Sequence, residues 1–529
     1  MLTQDLRAIA RQAMIDAGFS PDPDPAVIPE LQKVGKHRDA GAPLKDLRSL
    51  LWSSVDNDDT RDLDQIEFAV ETGDGNWRLY IGVADVDSEV PKGSALDAHA
   101  ATQTTTVYTG AVIFPMIPTE LSAGATSLFE SAERKSVVVE MIVGTDGAVK
   151  SAEIYRARVT NKAQLTYSAV AAWLDGGDIA GASHQTSVSG DYQPAILERF
   201  ARMPELEVQI RLQSEIAGAL RKTRLEKGAL EIETLEARAV SRDGKVTDIE
   251  KIQKNVATDM IEDFMIAANA SVAKFLESHN VSSLRRIVRS PERWERIVEL
   301  AKQYGKMLPP EPDPVALHVF MVERRAADPD HFPDLSLAIV KLLGPGEYIL
   351  DQPGVEEPGH FGLAVQDYTH STAPNRRYAD LVTQRIVKAV LARGLPPYTD
   401  DELSTIARNC TVKEDAARKV ERNVRKIAAA MLFSDRIGER FKAIVTGNKP
   451  SGTYVRVEDP PVEGRLVRGE QSVDVGDEIE VELLSTNPKR GFIDFGRVGD
   501  TPTPNPPGIH GPSATEQVRG VRSAGARHE

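Results

Sequence analysis

Residues 54–68 read SVDNDDTRDLDQIEF. Asp56, Asp58, Asp59, Asp62 and Asp64 place five carboxylates within nine residues, and Glu67 follows closely. Like charges at this spacing raise one another's proton affinity. Three readings stand. The first is a solvated acidic loop, the commonest fate of a charge run. The second is a calcium-binding EF-hand loop. Counted from Asp56, its ligand positions fall on Asp56, Asp58, Thr60, Asp62, Asp64 and Glu67. Arg61 stands where the sharp turn requires glycine, however, and a strand-like run follows instead of a helix. The third is a catalytic magnesium site, because hard divalent cations take oxygen ligands and keep water positions open for phosphate chemistry.

A second constellation is HFGLAVQDYTHSTAPNRRYADLVTQ, residues 360–384. Pro374 can open a helix as its first residue, which sets Arg376, Asp380 and Gln384 four apart on one face. The simple reading is an i,i+4 ion pair between Arg376 and Asp380. The functional reading is an arginine fork offered to a phosphate near a helix N-terminus, where backbone amides also favour anions.

With both stretches in view, the chain resembles the RNase II / RNase R (RNB-domain) exoribonuclease family. The second stretch carries its signature as His360–Leu363, Tyr368, Ala373-Pro374 and Arg376-Arg377-Tyr378-Ala379-Asp380. The acidic stretch follows the family's Asp, five residues, Asp-x-Asp-Asp as Asp56, Asp62, Asp64 and Gln65. The runs VYTGAVIFPMIPTELS, LTYSAVAAWL, IEDFMIAAN and VERNV agree as well. The resemblance implies hydrolysis of single-stranded RNA from its 3′ end to nucleoside 5′-monophosphates, with Mg²⁺ as cofactor and Mn²⁺ as a substitute. It implies that Asp56, Asp62, Asp64 and Gln65 face the metal, and that Asp64, Arg376 and Glu421 serve catalysis. It also places Tyr108, Tyr167, Ile232, Glu262, Arg376 and Arg377 along the RNA. A carboxylate such as Glu262 can accept from a ribose 2′-OH and so tell RNA from DNA.

Three departures bear on function. Gln65 replaces the family's last hallmark Asp and brings no charge, which keeps open the alternative of a catalytically silent RNA-binding homologue. Ile232 stands where the family has an aromatic clamp. Some 45 residues precede the catalytic domain, too few for the family's two cold-shock barrels. His370 and Asn375 also differ from the usual residues around the signature.

These residues need a scaffold. QIEFAVE and WRLYIGVADV, joined by TGDGN, read as a hairpin, as do SVVVEMIVG and SAEIYRARV across TDGAVK. Helical periodicity marks 197–227, 255–279, 291–306, 375–393 and 401–438. Five short strands with Gly-rich turns over 441–498 suit a small OB-type barrel. The expected fold class is α+β: a large catalytic domain of the RNB type, then a small five-stranded OB-fold barrel. The expected layout is a helical, Pro-rich segment at 1–44, the catalytic domain at 45–438, the barrel at 439–498 and a disordered Pro/Gly/Ser tail at 499–529.

Formal charge is 64 − 79 = −15. That excludes a general nucleic-acid coat but not a locally basic channel. The candidates are the basic runs at 376–393 and 413–442, each of which also reads as a solvated helix face. Cys410 is the sole cysteine, so neither an internal disulfide nor a thiolate metal cluster can form. With no apolar run of transmembrane length, no membrane partner is expected, and the expected location is cytoplasmic.

Overall fold

The computed structural model describes residues 5–35, 42–176, 196–233, 236–242, 245–252, 254–329, 331–449, 452–471 and 473–499. The expected tail, from residue 500 onward, lies outside them. The chain packs as two compact units. One holds the chain to Asp435 with 459–462 and 486–492, and the other holds 436–458, 463–485 and the chain from 493.

The first unit is built on a mixed sheet of β1 (Lys45–Asp46), β2 (Ser53–Asp56), β3 (Gln65–Glu71), β4 (Asn76–Ala84), β7 (Glu133–Gly144), β8 (Val149–Thr160) and β9 (Ala163–Thr166), in the order β1-β8-β7-β4-β3-β2-β9. A separate short ribbon pairs β5 (Val107–Tyr108) with β6 (Ile113–Phe114). Both expected hairpins form, and Gly75 and Gly147 supply the positive φ in their turns. β2 runs parallel to β9 and antiparallel to β3, so the acidic stretch is the link between two central strands. Trp52 is fully buried against the rings of Phe68 and Tyr80 and fixes the start of β2.

Helices cover the sheet. Pro204 separates Ile196–Arg202 from Pro204–Glu226, a division of the expected 197–227 helix that follows from proline's missing N–H. Val256–Ser278 starts at a capping box made by Asn255 and Thr258, and Asp400–Leu432 at one made by Thr399 and Glu402. The N-terminal helix Leu6–Asp16 buries Leu6, Ala10 and Met14 in a cluster with Val420 and Val424 of that last helix. Two helices absent from the sequence reading, Pro314–Ala327 and Phe332–Leu343, share a separate core with Trp294, Ile297 and Leu230.

Two expectations are corrected. The helix expected from Pro374 begins at Tyr378, and residues 374–376 form a turn whose backbone is used elsewhere. The basic run after it is neither a channel nor a solvated face at its centre. Arg385 is buried with Asp87 and Asp97 at 3.0 and 2.7 Å, and Lys388 lies 2.7 Å from both Asp85 and Asp87. Arg156 joins the same network through Asp85 at 2.9 Å. Removing one partner would strand a buried charge, so these ions lock the helix Tyr378–Leu391 to the sheet.

The second unit is a closed five-stranded barrel of Arg440–Lys449, Gly452–Val457, Val462–Arg468, Phe492–Arg497 and Glu478–Asn487, in that spatial order. Val445, Val455, Leu466, Val481, Leu483 and Phe495 fill it. Gly464 is required by the packing, since a Cβ there would meet the Phe495 ring at 2.5 Å. The α+β class and the barrel thus stand as expected. No described helix is long and apolar enough to cross a membrane.

Candidate active site

The link between β2 and β3 is pinned at one end and exposed at the other. Leu63 is fully buried, and its N–H donates to Ser127 Oγ at 3.0 Å while its carbonyl accepts from Leu128 at 3.0 Å. Ser127 Oγ in turn donates to the Arg61 carbonyl at 2.8 Å. The anchored Leu63 fixes its neighbours Asp62 and Asp64. Asp58 and Asp59 lie in the exposed part of the link. Glu67 belongs to β3 and is buried in the sheet, which removes the EF-hand reading.

The signature turn meets this link from the other side. The Asn375 N–H donates to Asp64 Oδ1 at 2.9 Å, and Arg376 Nε donates to Asp64 Oδ2 at 3.0 Å. Arg376 therefore pairs with Asp64, not with Asp380 four residues on. The physical reason is the late helix start: in a turn the Arg376 side chain is not stacked over residue 380. Asp380 is taken instead by Arg377 Nη2 at 2.7 Å and by the Ala373 N–H at 2.8 Å. The Thr126 hydroxyl donates to Asn375 Oδ1 at 2.6 Å and holds the turn in place. Gln384 is buried and bonds the backbone of Ala84 and Asp87.

Tyr108 connects two more of the expected residues. Its hydroxyl donates to Asp62 Oδ2 at 3.3 Å, and its N–H donates to Glu421 Oε1 at 2.9 Å. Asp62, Tyr108 and Glu421 are thereby one unit. Tyr167 opens the helix Tyr167–Leu174, and its hydroxyl feels Asp56, Glu67, Arg376 and Glu262, which puts these groups around one region. Glu262 bonds Lys254 Nζ at 2.5 Å. Ile232 packs against the separate core of Leu230 and Trp294.

Burial dominates the electrostatics. It pushes Asp56 up to about 8 and Asp64 to about 7, against the lowering effect of Arg376. It raises Asp62 too, and it pushes Glu67 well above the usual range with help from the Asp56 charge. Burial disfavours the Arg376 charge, but Asp64, Tyr108 and Asp62 outweigh it and hold the guanidinium firmly protonated. One guanidinium thus faces several carboxylates, a set short of positive charge. Asp56 Oδ2 and both oxygens of Glu67 are buried without a hydrogen-bond partner. Hard oxygens in that state suit a Mg²⁺ or Mn²⁺ ion that keeps most of its own waters. Among the described residues, no three His, Cys, Asp or Glu side chains stand gathered as a closed metal cage. Gln65 opens β3 and is buried beside this set.

Two site residues escaped the sequence reading. Asn375 entered it only as an unusual residue, yet its backbone orients Asp64 and its Nδ2 is buried without an acceptor. Glu67 entered only as the last EF-hand ligand. Strand alternation over 65–71 was the available signal, since it puts Gln65 and Glu67 on the same face.

Two family models match the chain: the RNB domain over residues 44–393, and the RNase II-type exonuclease C-terminal S1 domain over residues 439–498. The chain is 28% identical to Ribonuclease R of Vibrio parahaemolyticus over 505 residues, covering 88% of this chain and 56% of the relative. It is 28% identical to Ribonuclease R of Escherichia coli over 516 residues, covering 90% of this chain and 59% of the relative. The chain thus spans rather more than half the length of these relatives. Its fold is similar to the apo form of Mycoplasma genitalium RNase R, with a TM-score of 0.79 at 20% identity, over 94% of this chain and 78% of that one. It is also similar to yeast Ssd1, described as a pseudonuclease, with a TM-score of 0.62 at 17% identity, over 86% of this chain and 55% of that one.

Proposed function

Because this chain belongs to the RNB-domain family, we propose that it is a hydrolytic 3′→5′ exoribonuclease that degrades single-stranded RNA to nucleoside 5′-monophosphates. The observation that carries this is the contact of Arg376 with Asp64, which brings the signature turn onto the acidic link. A solvated loop would not bury Asp64 to 2% exposure. The Mycoplasma genitalium relative is described in complex with ribose-methylated single-stranded RNA, which supports the same substrate class here.

The residues divide the work. Asp56 and Asp62 would hold the divalent cation, with Asp64 and Gln65 beside them. When bound, Mg²⁺, or Mn²⁺ in its place, would help a water lose its proton and neutralise charge at the leaving oxygen. Asp64 grips Arg376 through Nε only; the side chain is 44% exposed and its Nη groups make no described hydrogen bond. That leaves the guanidinium fork to receive a phosphate and offset charge in the transition state. Asp380 holds Arg377 and thereby the turn, not Arg376 itself. Tyr108 and Tyr167 supply ring faces for bases, and Glu262 an acceptor for a 2′-OH. Glu421 positions the Tyr108 backbone. The barrel would add affinity more than chemistry, and a cytoplasmic location fits the single buried cysteine.

The second reading, a silent RNA-binding homologue, rests on Gln65 and the missing charge it implies. A uniformly labelled short RNA decides between the two. Labelled nucleoside 5′-monophosphates released in Mg²⁺, absent in chelator, support the enzyme. Tight binding of intact RNA with no release supports the silent homologue.

A further inference from the structure

Glu67 has no part in the chemistry above and no donor among the described residues. It is 1% exposed, and both its oxygens are buried without a hydrogen-bond partner. Buried polar atoms in a folded protein are almost always partnered, so a side chain with two orphan oxygens calls for something that binds oxygen. It is not alone. Asp56 Oδ2 is buried and unpartnered, and so is Gln213 Oε1.

The sheet explains why Glu67 and Gln213 meet, and the charge of Asp56 reaches them. Glu67 of β3 stands opposite Ser53 of β2 in antiparallel register. Gln213 donates through Nε2 to Ser53 Oγ at 3.5 Å, so it lies over the same spot while its own Oε1 stays without a donor. Asp56 closes β2 and is the charged neighbour that acts on Glu67. Gln65, two residues before Glu67 on the same strand face, brings a neutral amide to this region. Arg376 is bound to Asp64 through Nε and makes no described contact with Glu67. The place is therefore rich in hard oxygen acceptors, and among the described residues Glu67 makes no ion pair.

We propose that Glu67 is a divalent-cation ligand, sharing the ion with Asp56 and supplying the negative charge that Gln65 does not. This rests on the reading of the acidic link as a cation site, and it names which of the chain's carboxylates complete that site. Two carboxylates with amide oxygens nearby suit Mg²⁺ or Mn²⁺, which keep several waters.

The test uses the full chain without RNA. Mn²⁺ binding is measured by isothermal titration and by the electron paramagnetic resonance signal of free Mn²⁺. Glu67→Gln, which keeps shape and removes charge, should weaken Mn²⁺ binding at least tenfold or remove one equivalent. Glu71→Gln, at an exposed position of the same strand, should leave binding unchanged. Gln65→Asp added to Glu67→Gln should restore most of the affinity. Equal Mn²⁺ binding by the wild-type chain and Glu67→Gln would overturn the proposal and leave Glu67 a buried neutral carboxyl, with the cation reading itself intact. Failure of the wild-type chain to bind Mn²⁺ would instead bring down that reading together with this one. Should Glu67→Gln not fold, Glu67→Asp replaces it: weaker Mn²⁺ binding is expected, and unchanged binding would count against Glu67 as a ligand.

Discussion

Asp64 accepts one hydrogen bond from the Asn375 backbone and another from Arg376 Nε, at 2.9 and 3.0 Å, across more than three hundred positions of sequence. The carboxylate is buried while the far end of the guanidinium reaches outward. One side chain thus orients the guanidinium proposed to meet the phosphate and stands at the proposed cation site. Several consequences can be measured.

Arg376→Lys keeps the charge and loses the Nε contact with Asp64 together with the planar fork. A lysine acts as a point charge at a phosphate. Hydrolysis at saturating RNA should fall about 100-fold, or roughly 2.7 kcal/mol in the barrier. RNA affinity should change far less, because many phosphate contacts share it. Single-turnover rates beside filter binding check the split.

Leu63→Ala tests the pin under Asp62 and Asp64. Leu63 is fully buried, so truncation should cost about 2–5 kcal/mol of stability. The loosened link should also slow hydrolysis more than it weakens RNA binding. Thermal unfolding and turnover below the unfolding range report the two effects separately.

The raised proton affinity of Asp64 has a definite sign in stability. Its ordinary value is 3.8 and its folded value about 7, so between these the folded chain binds more protons than the unfolded one. Stability from this group is full below about pH 4 and declines as pH rises toward 7. Asp64→Asn mimics the protonated form. In chelator, the variant should gain in thermal midpoint over the wild-type chain as pH rises from 4 to 8. Added Mg²⁺ should narrow the gap at pH 8 by holding the carboxylate charged.

Much of this architecture was legible in the residues. The alternation in QIEFAVE and the Gly-bearing turns set β3 and β4, and the spacing of Asp56, Asp62 and Asp64 singled out the link as a candidate site. The partner of Arg376 was not legible, because local spacing offers Asp380 while the turn at 374–376 hands Asp64 the contact. Arg385 and Lys388 read as surface charge, since the aspartates that bury them come from residues 85–97. Helices Pro314–Ala327 and Phe332–Leu343 carry proline in their first turn, and the periodicity pass did not mark them. Glu67 was hidden by its neighbours: in a run of acids, only the fold distinguishes the one without a donor.

The central claim is that this acidic link is a hydrolytic centre, and its aspartates should not be equivalent. Asp64→Asn and Asp58→Ala, compared for RNA binding and for hydrolysis in Mg²⁺, test that most directly. Asp58 is exposed and accepts from Ser168 Oγ at 3.2 Å, so Asp58→Ala should bind and cleave as the wild-type chain does. Asp64→Asn should bind RNA and lose about 1000-fold or more in hydrolysis, upwards of roughly 4 kcal/mol of transition-state stabilisation. If Asp64→Asn kept full activity, the pair of Asp64 and Arg376 would be a structural contact only and the enzyme reading would be contradicted at its centre.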